Sequence, residues 1–243
     1  MATRTIDLAQ LIQQAKATAE SASTFPRYKL PVGEDKVLSV LESAYIGQVK
    51  SRGMKPNLDE ETKKHLASVA KWLTDKDTKP SLLLYGGVGN GKTTMTKAIA
   101  VTIACLIDMA GKSLVNDSPA FWDDKEGERL LKSILRYPQL VLVTAQRLAD
   151  LASSDVEGFN EYRGKTLLAI DDLGCEPTRV RNYGTEVTPV TDLIYQRYER
   201  CLPTIITTNL DRKDIRAQYG DRIADRFNEL FELVAFTNKS YRR

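Results

Sequence analysis

The run Gly86-Gly87-Val88-Gly89-Asn90-Gly91-Lys92-Thr93 has the phosphate-loop spacing G-x-x-x-x-G-K-S/T. It lies between Ser81-Leu82-Leu83-Leu84-Tyr85, which reads as a buried strand, and Thr94 to Ile107, which reads as a helix. A strand that turns through glycines into a helix N-terminus commits the chain to an α/β nucleotide-binding domain. Successive backbone N–H groups of such a turn face the phosphates, and the start of the helix adds the positive end of its dipole. Lys92 is expected to reach the β and γ phosphates of ATP, and the Thr93 hydroxyl to ligate Mg2+. Residues Gly86 to Thr94 are therefore the expected nucleotide-binding segment.

Composition narrows what surrounds this motif. Length and the apolar share allow one α/β domain of roughly 160 residues and an appendage. Lys and Arg number 35 against 32 Asp and Glu, so any DNA site has to be a local patch rather than a property of net charge. The three cysteines, Cys105, Cys175 and Cys201, form no CxxC pair, and His65 is the sole histidine; this disfavours both a zinc site and a disulfide framework. No leader-like apolar stretch opens the chain, and no uncharged run approaches membrane-spanning length. A cytoplasmic protein without a membrane partner is expected.

Along the chain, apolar residues at helical spacing from Ile6 to Ala15 predict a short detached helix that ends before Thr24-Phe25-Pro26. A second helix is expected from Glu34 to Gly47, then a basic loop from Lys50 to Asn57, then a third helix opening at Leu58-Asp59-Glu60-Glu61. Residues 1–57 are read as a helical N-terminal appendage and linker that docks a partner, and 58–243 as the ATPase domain. Further strands are expected at Leu140 to Val143, Thr166 to Ile170 and Pro203 to Thr207, with helices at Ala145 to Ala152 and Val187 to Tyr198. Strands alternating with helices imply a parallel sheet covered on both faces, with ligands at the carboxyl ends of its strands.

Two of those strand ends carry chemistry. Leu167-Leu168-Ala169-Ile170-Asp171-Asp172 is an apolar strand closing in two carboxylates, a Walker B pattern. Asp171 is expected to hold Mg2+, directly or through water, and Asp172 to orient the attacking water. Thr207-Thr208-Asn209 ends another strand; Asn209 is either a γ-phosphate or water contact or a polar cap to the next helix. In Tyr219 to Phe227, Arg222 and Arg226 share one helix face. They present cations to a phosphate, in cis or in a neighbouring subunit, or form a solvated salt-bridge face.

Together with the terminal Lys239-Ser240-Tyr241-Arg242, these motifs resemble the DnaC/IstB family of AAA+ ATPases, which load replicative helicases or assist transposases. The resemblance covers roughly residues 58–243. It implies a five-stranded AAA+ P-loop core of order 5-1-4-3-2, with ATP between adjacent subunits of a homo-oligomeric ring or spiral and no C-terminal lid domain. It also implies that Asn209 is the sensor-1 residue and Arg226 the trans-acting arginine finger, with Arg222 second choice. Arg242 is either a sensor-2 substitute or a frayed basic tail. Asp172 stands where the wider AAA+ class has Glu, and one methylene less suggests slow hydrolysis. The adenine pocket is expected to draw on the lead-in from Tyr45 to Leu73.

For proteins of this kind the substrate of the mechanical work is another macromolecule. Arg179, Arg181 and Tyr183 follow Walker B in a segment that is either a DNA contact or a solvated loop. The first expectation is an ATPase that self-assembles on DNA and loads or remodels a replicative helicase at single strands. Its rivals are a transposition helper on duplex DNA, a small-molecule P-loop kinase, and a non-hydrolysing nucleotide-gated scaffold.

Overall fold

The computed structural model describes residues 7–23, 28–115, 125–182, 184–238 and 240–241. Three helices, α1 (Leu8–Ser23), α2 (Glu34–Lys50) and α3 (Glu60–Thr74), precede strand β1 (Ser81–Gly86) and the long helix α4 (Lys92–Val115). Then come α5 (Lys125–Leu135), β2 (Leu140–Thr144), α6 (Ala145–Ser154), α7 (Val156–Arg163) and β3 (Leu167–Leu173). A small antiparallel hairpin, β4 (Val180–Asn182) and β5 (Thr185–Val187), leads to α8 (Pro189–Glu199) and β6 (Thr204–Thr208). The described chain closes with α9 (Arg212–Tyr219), α10 (Asp221–Leu230) and β7 (Phe231–Phe236).

Five strands form one parallel sheet in the order β2-β3-β6-β1-β7. Numbered along the sheet's own strands and read from β7, this is the 5-1-4-3-2 order implied by the resemblance. The two-residue period of each strand decides what it meets on either side. Leu82, Leu84, Leu167, Ala169 and Ile205 join one apolar cluster, with α2, α3 and α4, while Leu83, Leu168, Ile170 and Ile206 join a second, with α6, α8 and α10. Near-continuous apolar strands are therefore required by burial on both faces. Local signals set the helix starts: Asp59 accepts from the Thr62 N–H at 2.8 Å, and Asp211 forms a reciprocal capping box with Asp214.

Most strand and helix positions read from the sequence hold within a few residues, but the helix expected to end at Ile107 runs on to Val115, and two further corrections apply. The stretch from Tyr219 to Phe227 is not one helix: Gly220, at φ +85°, ends α9 and starts α10. Nor does packing break at residue 57, because Leu30, Val37, Leu41 and Tyr45 belong to the same cluster as Leu82, Met95 and Ile99. Residues 28–50 are thus part of the nucleotide domain's core. By contrast, the described side chains of α1 are all exposed, among them Leu8, Leu11 and Ile12. Helix α4 is long and apolar enough to cross a membrane by length and composition, yet Met95, Ala98, Ile99 and Ile103 are buried against the sheet.

Candidate nucleotide site

The loop after β1 is held by contacts that require its sequence. Gly86 has φ +137°, and a Cβ there would lie 2.2 Å from the carbonyl oxygen of Phe236, so only glycine lets the loop pass β7. The buried Asn90 amide ties the loop to the same strand, donating from Nδ2 to Phe236 O at 2.6 Å. At Gly91 a Cβ would meet the Tyr45 hydroxyl at 2.9 Å, which brings α2 against the loop from the other side.

Lys92 opens α4 and is buried. Its ammonium donates to Gly86 O at 2.8 Å, Gly87 O at 2.6 Å, Asn90 Oδ1 at 3.0 Å and Asn209 Oδ1 at 2.9 Å. The lysine of the loop and the polar tip of β6, distant in sequence, thus meet. Beside them, the Thr93 hydroxyl donates to Asp171 Oδ1 at 3.1 Å, and Thr207 donates to the same oxygen at 2.6 Å. Thr207 Oγ1 also accepts the backbone N–H of Asp172 at 2.8 Å, locking the ends of β3 and β6 together. Asp172 takes φ +57°, the left-handed region that short polar side chains tolerate, where the register of β3 against β6 shifts between Ile170 and Leu173.

The segment from Val88 to Thr94, Asp172 and Asn209 all line one cavity of about 410 Å³. Gly86 and Gly87 stand behind it as acceptors for Lys92, and Asp171 is buried behind Thr93. The opposite wall comes from Tyr45 and Val49 of α2, from Arg52 and Asn57 in the following loop, and from Tyr241. The expected contribution of the lead-in is present, but its centre is α2 and the loop after it rather than α3. Burial pushes the Tyr45 phenol up to about 12, so it is a neutral hydrogen-bonding group.

Tyr241 is the contributor that sequence reading missed. Its N–H donates to Gly89 O at 2.9 Å, and its hydroxyl donates to Asp59 Oδ2 at 3.0 Å and lies 2.8 Å from Thr62 Oγ1. The Thr62 N–H holds the Asp59 carboxyl below its ordinary range, keeping it an anionic acceptor at the N-terminus of α3. Asn238 adds a bond from Nδ2 to Asn90 O at 3.2 Å. The segment after β7 therefore straps the phosphate loop to α3. Thr207 was likewise missed, although a hydroxyl on a strand tip beside Walker B was a readable signal.

Arg226 stands apart from the cavity, on α10. Its guanidinium lies 3.9 Å above the Tyr198 ring and donates from Nη1 to Tyr198 Oη at 2.6 Å and to Glu229 Oε2 at 3.3 Å. Arg222 is exposed on the same helix. Arg179 pairs with Glu186 across the β4–β5 hairpin at 3.3 Å, and Arg181 is exposed on it. Tyr183 and Arg242 lie outside the described residues.

Thr93 and Asp171 supply hard oxygen donors side by side, which suits Mg2+, a cation commonly held by one or two protein oxygens with phosphates and waters. The described residues contain no cluster of three or more His, Cys, Asp or Glu able to hold a metal without them.

No protein-family model matches the sequence, and no curated protein matches it. Solved structures do. DnaI matches at 17% identity over 85% of this chain and 93% of its own, with a TM-score of 0.52. A proposed primosome component from Streptococcus pyogenes serotype M3 matches at 15% identity over 76% and 84%, with a TM-score of 0.51. The DnaC helicase loader also matches, at 18% identity and a TM-score of 0.46. The likeness to the first two is one of fold, and it supports the DnaC/IstB-like AAA+ resemblance carried by the motifs.

Proposed function

We propose that this chain is an ATP-dependent, self-assembling DNA-binding ATPase that loads or remodels a replicative helicase on single-stranded DNA. The observation that carries the ATPase reading is the meeting, at the strand ends, of Lys92 with Asn209 on the cavity wall and of Thr93 with Asp171 buried just behind it. The loop N–H groups and Lys92 bind the phosphates of ATP. Thr93 and Asp171 hold Mg2+, which when bound offsets negative charge on the phosphates. Asp172 orients the attacking water and Asn209 contacts the γ-phosphate or that water. Arg226, remote from its own subunit's cavity, serves the neighbouring subunit's γ-phosphate, where a cation stabilises charge developing in the transition state.

The macromolecular part rests on the motif resemblance and the shared fold. Arg181 on the exposed β4–β5 hairpin offers a phosphate contact without sequence preference. The exposed apolar side chains Leu8, Leu11 and Ile12 of α1 suit a helix that docks into a groove on a partner such as the helicase. Steady-state ATPase assays at one fixed low salt, with no DNA, single strands or duplex, test this reading. Stimulation chiefly by single strands supports helicase loading, and duplex selectivity supports the transposition helper. Indifference to both, with phosphate passing to a nucleoside or nucleotide acceptor, supports a kinase instead. Arg226→Ala is expected to retain ATP binding and lose assembly-dependent turnover. Recovery of activity when it is mixed with Asp172→Asn, neither being active alone, establishes action in trans.

A further inference from the structure

Just beyond Asp172 the chain makes a tight turn that is clamped from two sides. Cys175 donates its N–H to Asp172 O at 3.2 Å. A Cβ at Gly174 would lie 2.7 Å from a methyl of Leu210, so the turn packs directly on the residue that follows Asn209. On the other side, the buried carboxylate of Glu176 accepts twice, from the Gly174 N–H at 2.9 Å through Oε2 and from the Tyr219 hydroxyl at 2.5 Å through Oε1. Tyr219 is buried too, and burial together with the adjoining carboxylate raises its pKa, so the hydroxyl stays protonated and donating.

Tyr219 is the last residue of α9, and Gly220 at φ +85° joins it to α10. Arg216 of α9 bridges to Asp221 and Asp225 of α10, each at 3.3 Å, so the two helices are tied across that glycine. A charge-assisted bond between buried partners is short, directional and costly to leave half made. The turn bearing Asp172 and the helix bearing Arg226 are therefore joined by one continuous set of contacts.

We infer that Glu176 and Tyr219 are positioning residues that link the Asp172 turn to α10, so that the geometry at one subunit's own nucleotide site sets how it presents Arg226 to its neighbour. This rests on the ATPase reading above. Neither residue touches nucleotide; the pair acts on turnover by holding Asp172 and α10 in register, and nucleotide binding does not depend on it.

The test compares Tyr219→Phe with the double variant Tyr219→Phe/Glu176→Gln in the full chain. Tyr219→Phe keeps the ring but leaves a buried carboxylate with one acceptor oxygen unmatched, so it lowers both Tm and kcat. The double variant removes the buried charge, so Tm recovers while the link stays broken. The expected result is a kcat reduced by about tenfold in both variants, with KM and the Kd for a fluorescent ATP analogue within about twofold of the unmodified chain. Recovery of kcat together with Tm in the double variant assigns the pair a purely structural role and overturns the inference. Unchanged kcat in both variants overturns it as well. Absence of Lys92-dependent turnover in the unmodified chain overturns the ATPase reading itself, and this inference with it.

Discussion

Lys92 donates to two loop carbonyls and to the amide oxygens of Asn90 and Asn209, which hold its ammonium at the cavity where the phosphates are expected. Lys92→Ala is expected to abolish measurable ATP binding while leaving the fold intact, which equilibrium titration with a fluorescent ATP analogue and far-UV circular dichroism check together. His65, the sole histidine, makes stability depend on pH. Its Nε2 lies 2.9 Å from Ala235 O and its ring stacks on Phe236 at 4.0 Å, and burial lowers its pKa below 6.5. A histidine with a lowered folded-state pKa binds its proton more readily when unfolded. Its contribution to stability is therefore whole above the unfolded value and declines as pH falls below it. Thermal unfolding is expected to show Tm falling from about pH 7.5 to about pH 5.5, with a smaller fall in His65→Gln.

At the scale of elements, legibility followed the range of the interactions. β1, β3 and β6 were readable because each is a run whose two faces are both buried, a demand that falls on contiguous residues, and β2 because the half-buried edge strand is still an unbroken run of Leu and Val. β7 was not read directly, since Phe231-Glu232-Leu233-Val234-Ala235-Phe236 follows α10 with no turn residue between them and carries Glu232 within it. The hairpin β4–β5 has strands of three residues each, too short for a period to declare itself. Lys92, Thr93, Asp171 and Asn209 were named from the sequence because phosphate chemistry asks for these residue types at a phosphate loop and at strand ends, and the fold brings them together. Tyr45 was expected only as the start of a long lead-in and Tyr241 only as part of the terminal motif, because their place depends on how α2 and the segment after β7 pack on the loop. That segment has a measurable consequence. Tyr241→Phe keeps the N–H to Gly89 but loses the bonds to Asp59 and Thr62, so the strap loosens on α3. A rise of about five- to tenfold in KM for ATP, with kcat little changed, is expected from steady-state kinetics.

For the whole molecule, the decisive relation is between a cavity that holds Lys92, Asp172 and Asn209 and an arginine, Arg226, fixed on another face by Tyr198 and Glu229. Arg226 does not line its own subunit's cavity, and on the proposed reading the α10 face of one subunit closes the cavity of the next. Catalysis then becomes a property of the assembly, and DNA or a partner that promotes assembly promotes turnover. The measurement that bears most directly on this is the ATPase rate per subunit as protein concentration is raised, with Arg226→Ala run alongside. The expected result is a rate per subunit that climbs with concentration to a plateau, and a low, flat rate for Arg226→Ala. A rate per subunit that is constant across concentration and unchanged in Arg226→Ala would contradict it.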